Sequence, residues 1–119
     1  MKYMLLIHQG DTPTPRDPEA WARLSEDEQK AVYADYGAIN QTPGVTPGLG
    51  LDAPETATTV RVEDGKTLTT DGPFVEVKES IGGYFFYEGD DLDAAIDVAS
   101  RVPAASMGGA VEVRPLVEW

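Results

Sequence analysis

Cysteine is absent from the chain, and histidine occurs once, as His8. The first absence excludes disulfides and thiolate metal sites; the second leaves too few imidazoles for a transition-metal cluster. Basic residues are also scarce, with nine Lys and Arg against 21 Asp and Glu and a formal charge of −12. The cations are scattered singly, whereas affinity for nucleic acid rests on clustered cations facing phosphates, so direct DNA or RNA binding is not expected. The acidity speaks for solubility and self-repulsion and does not by itself mark a site. Long apolar runs are missing as well. The opening MKYMLLI passes directly into HQGD, too short for a signal-peptide core or a membrane span, so a cytoplasmic location and no membrane partner are expected. With 119 residues there is material for one domain, residues 1–119, able to bury a core without covalent staples.

What is present organises itself around strands that are apolar on both faces. Lys2 to His8 reads as a strand with Tyr3, Leu5 and Ile7 on one side and Met4, Leu6 and His8 on the other. Apolar character on both sides is the pattern of a central strand. GDTPTPRD then breaks the chain. Asp17-Pro18 is a helix start, with Asp as N-cap and Pro in the first turn, and Trp21 and Leu24 anchor a short segment. Ser25 and Glu28 form a capping box that opens a helix running to about Asn40, with Val32, Tyr36 and Ile39 as its buried stripe. The Gly- and Pro-rich QTPGVTPGLGLDAPE leaves room for a short strand around Thr46 to Leu51. No helix follows its glycines and no Gly-Lys-Ser/Thr occurs, which rejects a phosphate-cradling loop; no cofactor is expected.

Two Thr- and Val-rich arms flank Asp64-Gly65, a pair suited to a tight type I′ hairpin. GGYFFYEG is a second strand apolar on both faces. Asp90 or Asp91 caps a helix whose stripe is Leu92, Ala95, Ile96 and Ala99, and Pro103 ends it. In GAVEVRPLVEW, Pro115 has no amide hydrogen for a ladder, which places the last strand at a sheet edge. With the hairpin set aside as an insertion, the order is βαββαβ, an α+β ferredoxin-like plait. Both of its right-handed crossovers fall on one side of the sheet. One apolar face, carrying Met4, Leu6, Tyr84 and Phe86 or the opposite set, is then left to a partner sheet. The expected assembly is a homodimer packed sheet to sheet, a dimeric α+β barrel.

Taken in order, MKYMLLI, ATTVRV, TTDGPFVEVKE, GGYFFYE, DLDAAIDVA and VEVRP resemble the DGPF subgroup of the YCII-related domain family over essentially the whole chain. The resemblance implies a dimeric ferredoxin-like α+β fold. It implies two kinds of function. Some relatives are enzyme-like, with a His–Asp pair as acid and base, and one lineage removes chloride from a hydroxylated aromatic; other DGPF-type proteins are associated with extracytoplasmic-function sigma factors. The enzyme-like relatives carry their histidine on the first helix. This chain has no histidine between Asp17 and Asn40, so the dyad does not carry over.

The motif itself maps to Asp71, Gly72, Pro73 and Phe74, continued by Glu76, Lys78 and Glu79. These are common turn residues, and a plain turn leaving the hairpin is one reading. In the other, the Asp71 carboxylate and the Phe74 ring face a pocket. Glu76 then serves as base and Lys78 stabilises developing negative charge, while the alternative for that pair is a solvated surface contact. His8, at the end of a buried strand, is either a proton-transfer group or a hydrogen-bonded rim residue. Tyr84, Arg114 and Glu79 complete the candidate ligand-binding set. Two functions stay open at this level. One is a small acid–base enzyme performing elimination or isomerisation on a hydroxylated or carbonyl substrate. The other is a non-catalytic module binding a small molecule or a partner such as a sigma factor.

Overall fold

The computed structural model describes residues 1–72 and 81–117. Strand β1 (Lys2–His8) leads through the Pro-rich loop into helix α1 (Pro18–Ala22) and helix α2 (Glu26–Asn40). Both helices start where capping chemistry places them. The Asp17 carboxylate accepts from the Ala20 amide at 3.3 Å. Ser25 Oγ accepts from the Glu28 amide and Glu28 Oε1 from the Ser25 amide, a reciprocal box. The Gln29 side-chain amide donates to the Trp21 carbonyl at 2.9 Å, and the Trp21 and Tyr33 rings meet edge-to-face at 5.6 Å, so α1 is clamped against α2.

Strand β2 is short (Val45–Thr46) and is followed by a single 3₁₀ turn, Pro54–Thr56. The segment expected to be a strand from Thr46 to Leu51 is therefore mostly not one. Pro47 supplies no ladder donor, and beyond it only an isolated bridge, Gly50 opposite Gly83, holds the chain to the sheet. Strands β3 (Thr58–Glu63) and β4 (Lys66–Asp71) pair only with each other, as a two-stranded sheet of their own. Their turn has positive φ at both Asp64 and Gly65, as a type I′ turn requires. Strand β5 (Ile81–Glu88), helix α3 (Leu92–Ser100, capped by Asp91), the single-turn helix α4 (Pro103–Ser106) and strand β6 (Ala110–Pro115) complete the described elements. Pro103 thus opens α4; α3 has already ended at Ser100.

The main sheet has the order β2-β5-β1-β6, antiparallel throughout, with β6 at the edge. A mixed α+β chain with this strand order is consistent with a ferredoxin-like plait. Register sets the faces: Leu5 lies between Phe85 on one neighbour and Val113 on the other. Tyr3, Leu5, Ile7 and Phe85 are buried under the helices together with Ile39 of α2 and Ala95, Val98 and Ala99 of α3. On α3 the buried stripe is turned from the expected one. Leu92 and Ile96 are each 49% exposed, while the smaller Ala95 and Ala99 face inward with Val98. Small side chains there let the helix axis approach the sheet closely. None of the buried core residues belongs to the opposite face, where Met4, Leu6, Tyr84 and Phe86 are partly exposed. Leu5 is wholly buried at the centre of the sheet. Leu5→Ala is expected to cost about 2–5 kcal/mol of unfolding free energy, read from a urea transition.

Candidate functional site

A cavity of about 370 Å³ opens on the helix side of the sheet, within the range of small-ligand sites. Its floor is the start of β5, one wall is α2, and the loop after β1 and the segment at 48–50 close it in. The floor is low because β5 carries Gly82 and Gly83 there, with Gly83 opposite Ile7. A Cβ on Gly82 would collide with the Gln9 side chain, and one on Gly50 with the Arg16 guanidinium. Those two positions therefore let long polar side chains lie flat along the strand backbone.

Most of the lining is apolar, with Trp21, Val32, Ile39, Leu49 and Phe85 among it. Its polar side chains include Gln9, Thr12, Arg16, Tyr36 and Asn40. Arg16 Nη1 donates to the Gly82 carbonyl at 3.3 Å. No carboxylate of a described residue lies within 4 Å of this guanidinium. Burial raises the Tyr36 pKa above the ordinary tyrosine value, with the Gln9 hydrogen bond and the Arg16 charge pulling the other way. At neutral pH the phenol is a proton-bearing donor. Gln9 Oε1 and Thr12 Oγ1 are buried with no hydrogen-bond partner among the described residues. Buried polar atoms are nearly always paired, so two orphans at one cavity mark a place where a ligand or ordered water completes the bonding.

The residues singled out from the sequence fall in three places. His8, Tyr84 and Arg114 share the open face of the sheet. His8 Nε2 lies 3.4 Å from Glu112 Oε1, and Arg114 pairs with the other oxygen of the same carboxylate. The Tyr84 ring meets Phe86 edge-to-face at 5.9 Å, while the residue also borders the helix-side cavity. Asp71 ends β4 and is exposed at the base of the hairpin, where the Gly72 amide donates to the Ala57 carbonyl at 2.7 Å. Phe74, Glu76, Lys78 and Glu79 lie outside the described residues. Sequence reasoning missed Gln9, Thr12 and Arg16, whose loop reads only as a break. Tyr36 was legible only as part of a core stripe. The available signal was a lone arginine placed between two prolines and a helix cap in a strongly acidic chain. Among the described residues no group of three or more metal-ligating side chains exists, and no helix is long and apolar enough to cross a membrane.

The structure is an antiparallel α+β domain with a small cavity between its first long helix and its sheet. The chain belongs to the YCII-related domain family, whose model matches residues 1–119. It is similar to an uncharacterised protein of Rhizobium meliloti (strain 1021), 34% identical over 121 residues that span 98% of this chain and 92% of the relative.

On the open face, Glu112 has its pKa lowered from the ordinary 4.5, first by the Arg114 hydrogen bond and further by His8. A carboxyl group with a lowered folded pKa contributes stability that is present above the ordinary value and fades as pH falls through the lowered one. In an NMR titration, Arg114→Ala is expected to move the Glu112 midpoint up toward 4.5, and an unmoved midpoint would remove Arg114 as the cause.

Proposed function

We propose that the chain is a DGPF-type member of its family that binds a small molecule in the helix-side cavity and donates a hydrogen bond to an oxygen of that ligand. One observation carries the reading: two polar side chains of the cavity, Gln9 and Thr12, hold buried atoms without partners among the described residues. A cavity that served packing alone would have its polar atoms paired or turned to solvent. The described lining contains hydrogen-bond donors in Arg16, Thr12 and Tyr36, and neither a carboxylate nor an imidazole. Such a set suits holding and polarising a carbonyl or hydroxyl oxygen. Tyr36 is the group we assign to that oxygen, because burial keeps its proton in place.

The test is a thermal-melt panel of phenol, acetophenone and benzoylformate on the purified protein and its Tyr36→Phe variant. A binder present at 100 times its Kd stabilises by about 2.7 kcal/mol, a shift of several degrees for a domain of this size. The expected result is a shift for at least one compound that shrinks by tenfold or more in apparent affinity in Tyr36→Phe. No shift with any compound, or the same affinity without the hydroxyl, overturns the assignment.

A second reading concerns assembly and rests on a separate observation. Met4, Leu6, Tyr84 and Phe86 form an apolar strip on the face opposite the helices, and the hairpin arm exposes Val60 and Val62 at 59% and 66%. A lone two-stranded hairpin is marginal in water, and an uncovered apolar sheet face carries a solvation cost of about 25 cal/mol per Å². We assign both surfaces to a second copy of the chain, stacked sheet on sheet. Sedimentation equilibrium at micromolar concentration is expected to return twice the chain mass, and Phe86→Lys to shift the mass toward one chain. A folded single chain in the parent overturns this.

A further inference from the structure

The geometry points to a carboxylate as the anchoring group of the ligand, held by Arg16 at the mouth of the helix-side cavity, on a small acid with a flat apolar body. This rests on the cavity being the ligand site. Arg16 presents five N–H donors in a planar fork, and the Gly82 carbonyl accepts from one of them, at 3.3 Å. In a chain with 21 acidic residues, the guanidinium has no carboxylate of a described residue within 4 Å. Arg101 and Arg114 each pair with an acid. Arg16 is instead laid against the backbone at Gly50 and Gly82, where a side chain at either neighbouring position would displace it or the adjoining Gln9.

The rest of the polar set decides the charge of the ligand. The other polar side chains of the described lining, Gln9, Thr12, Thr14, Tyr36, Asn40 and Tyr84, include no carboxylate and no second cation. One cation with neutral donors matches a monoanion. A phosphate monoester, near two negative charges, would meet a single positive side chain within a protein of net charge −12 and has no second cation in the described lining. Carboxylate geometry also fits the fork, since two parallel N–H donors address its two oxygens. The apolar remainder is set by Trp21, Val32, Ile39 and Phe85, and the volume of about 370 Å³ holds one ring and a short chain, not a peptide.

Benzoate and benzamide make a matched pair, equal in shape and differing in charge. Binding is followed by the fluorescence of Trp21 in a Trp119→Phe background, which leaves one tryptophan of the two. The parent is expected to bind benzoate at least tenfold more tightly than benzamide. Arg16→Gln should abolish that preference, weakening benzoate by tenfold or more and leaving benzamide within about twofold. Gly50→Ala, which keeps the charge but pushes the guanidinium aside, should weaken benzoate selectively as well. Equal affinity of the parent for the two compounds, or a preference that survives Arg16→Gln, overturns the proposal. If acetophenone binds and shifts with Tyr36→Phe while benzoate shows no advantage, the carboxylate anchor falls and the cavity reading stands. If no compound of either set binds, both fall.

Discussion

The pairing of β1 with β5 in a single register is the constraint on which the rest of the molecule depends. With Leu5 set opposite Phe85 and Ile7 opposite Gly83, one face collects Tyr3, Leu5, Ile7 and Phe85 and the other collects Met4, Leu6, Tyr84 and Phe86. A slip of one residue would exchange the two sets, because side chains alternate along a strand. The first set is wide at one end and empty at the other. Aromatic and branched side chains fill the sheet floor beneath α3, while the glycines at 82 and 83 leave it bare beneath α2. The helix cannot sink to fill that gap, since Ile39 already rests on the core. The cavity is thus a direct consequence of register plus two missing side chains.

The same register makes the two faces chemically unlike. On the helix side the polar groups are few, neutral apart from Arg16, and gathered at the cavity. On the open side the polar groups stand as a compensated row, with Glu112 between His8 and Arg114, next to an apolar strip. A row of this kind adds little stability at an exposed surface. It places charge at the border of the apolar strip. The two surfaces proposed for ligand and for a second copy thus lie on opposite sides of one sheet.

Much of this was legible in the residues, and the division between what was and what was not has a physical basis. Capping by Asp17, Ser25 with Glu28, and Asp91 depends on neighbours within one helical turn, so a local reading finds it. The Asp64-Gly65 turn is local in the same sense. The doubly apolar β1 and β5 betrayed their central position because no edge strand tolerates that pattern in water. The stripe of α3 failed differently. Its period was right, but the frame was chosen by the largest side chains, whereas close packing against the sheet selected the alanines and left Leu92 and Ile96 half exposed. Arg16 left only a faint local trace, a lone arginine beside prolines and a helix cap. Its significance comes from carbonyls and glycines far along the chain, at 50 and 82, which no periodicity in its own loop records.

Tyr36 and Arg16 bear on each other in a way that explains why a phenol, and not an acid, stands beside the guanidinium. A carboxylate in that place would be ionised at neutral pH and would pair with Arg16, closing the fork to any ligand. The Tyr36 hydroxyl has its ionisation opposed by burial more strongly than the Arg16 charge promotes it, so it offers a donor and no competing charge. The balance also limits what reaches the site. Beyond about 8 Å the field of the remaining protein is largely screened at physiological ionic strength. On the proposed reading, selection would rest on short-range contact within the cavity, where a monoanion meets one charged fork and uncharged donors.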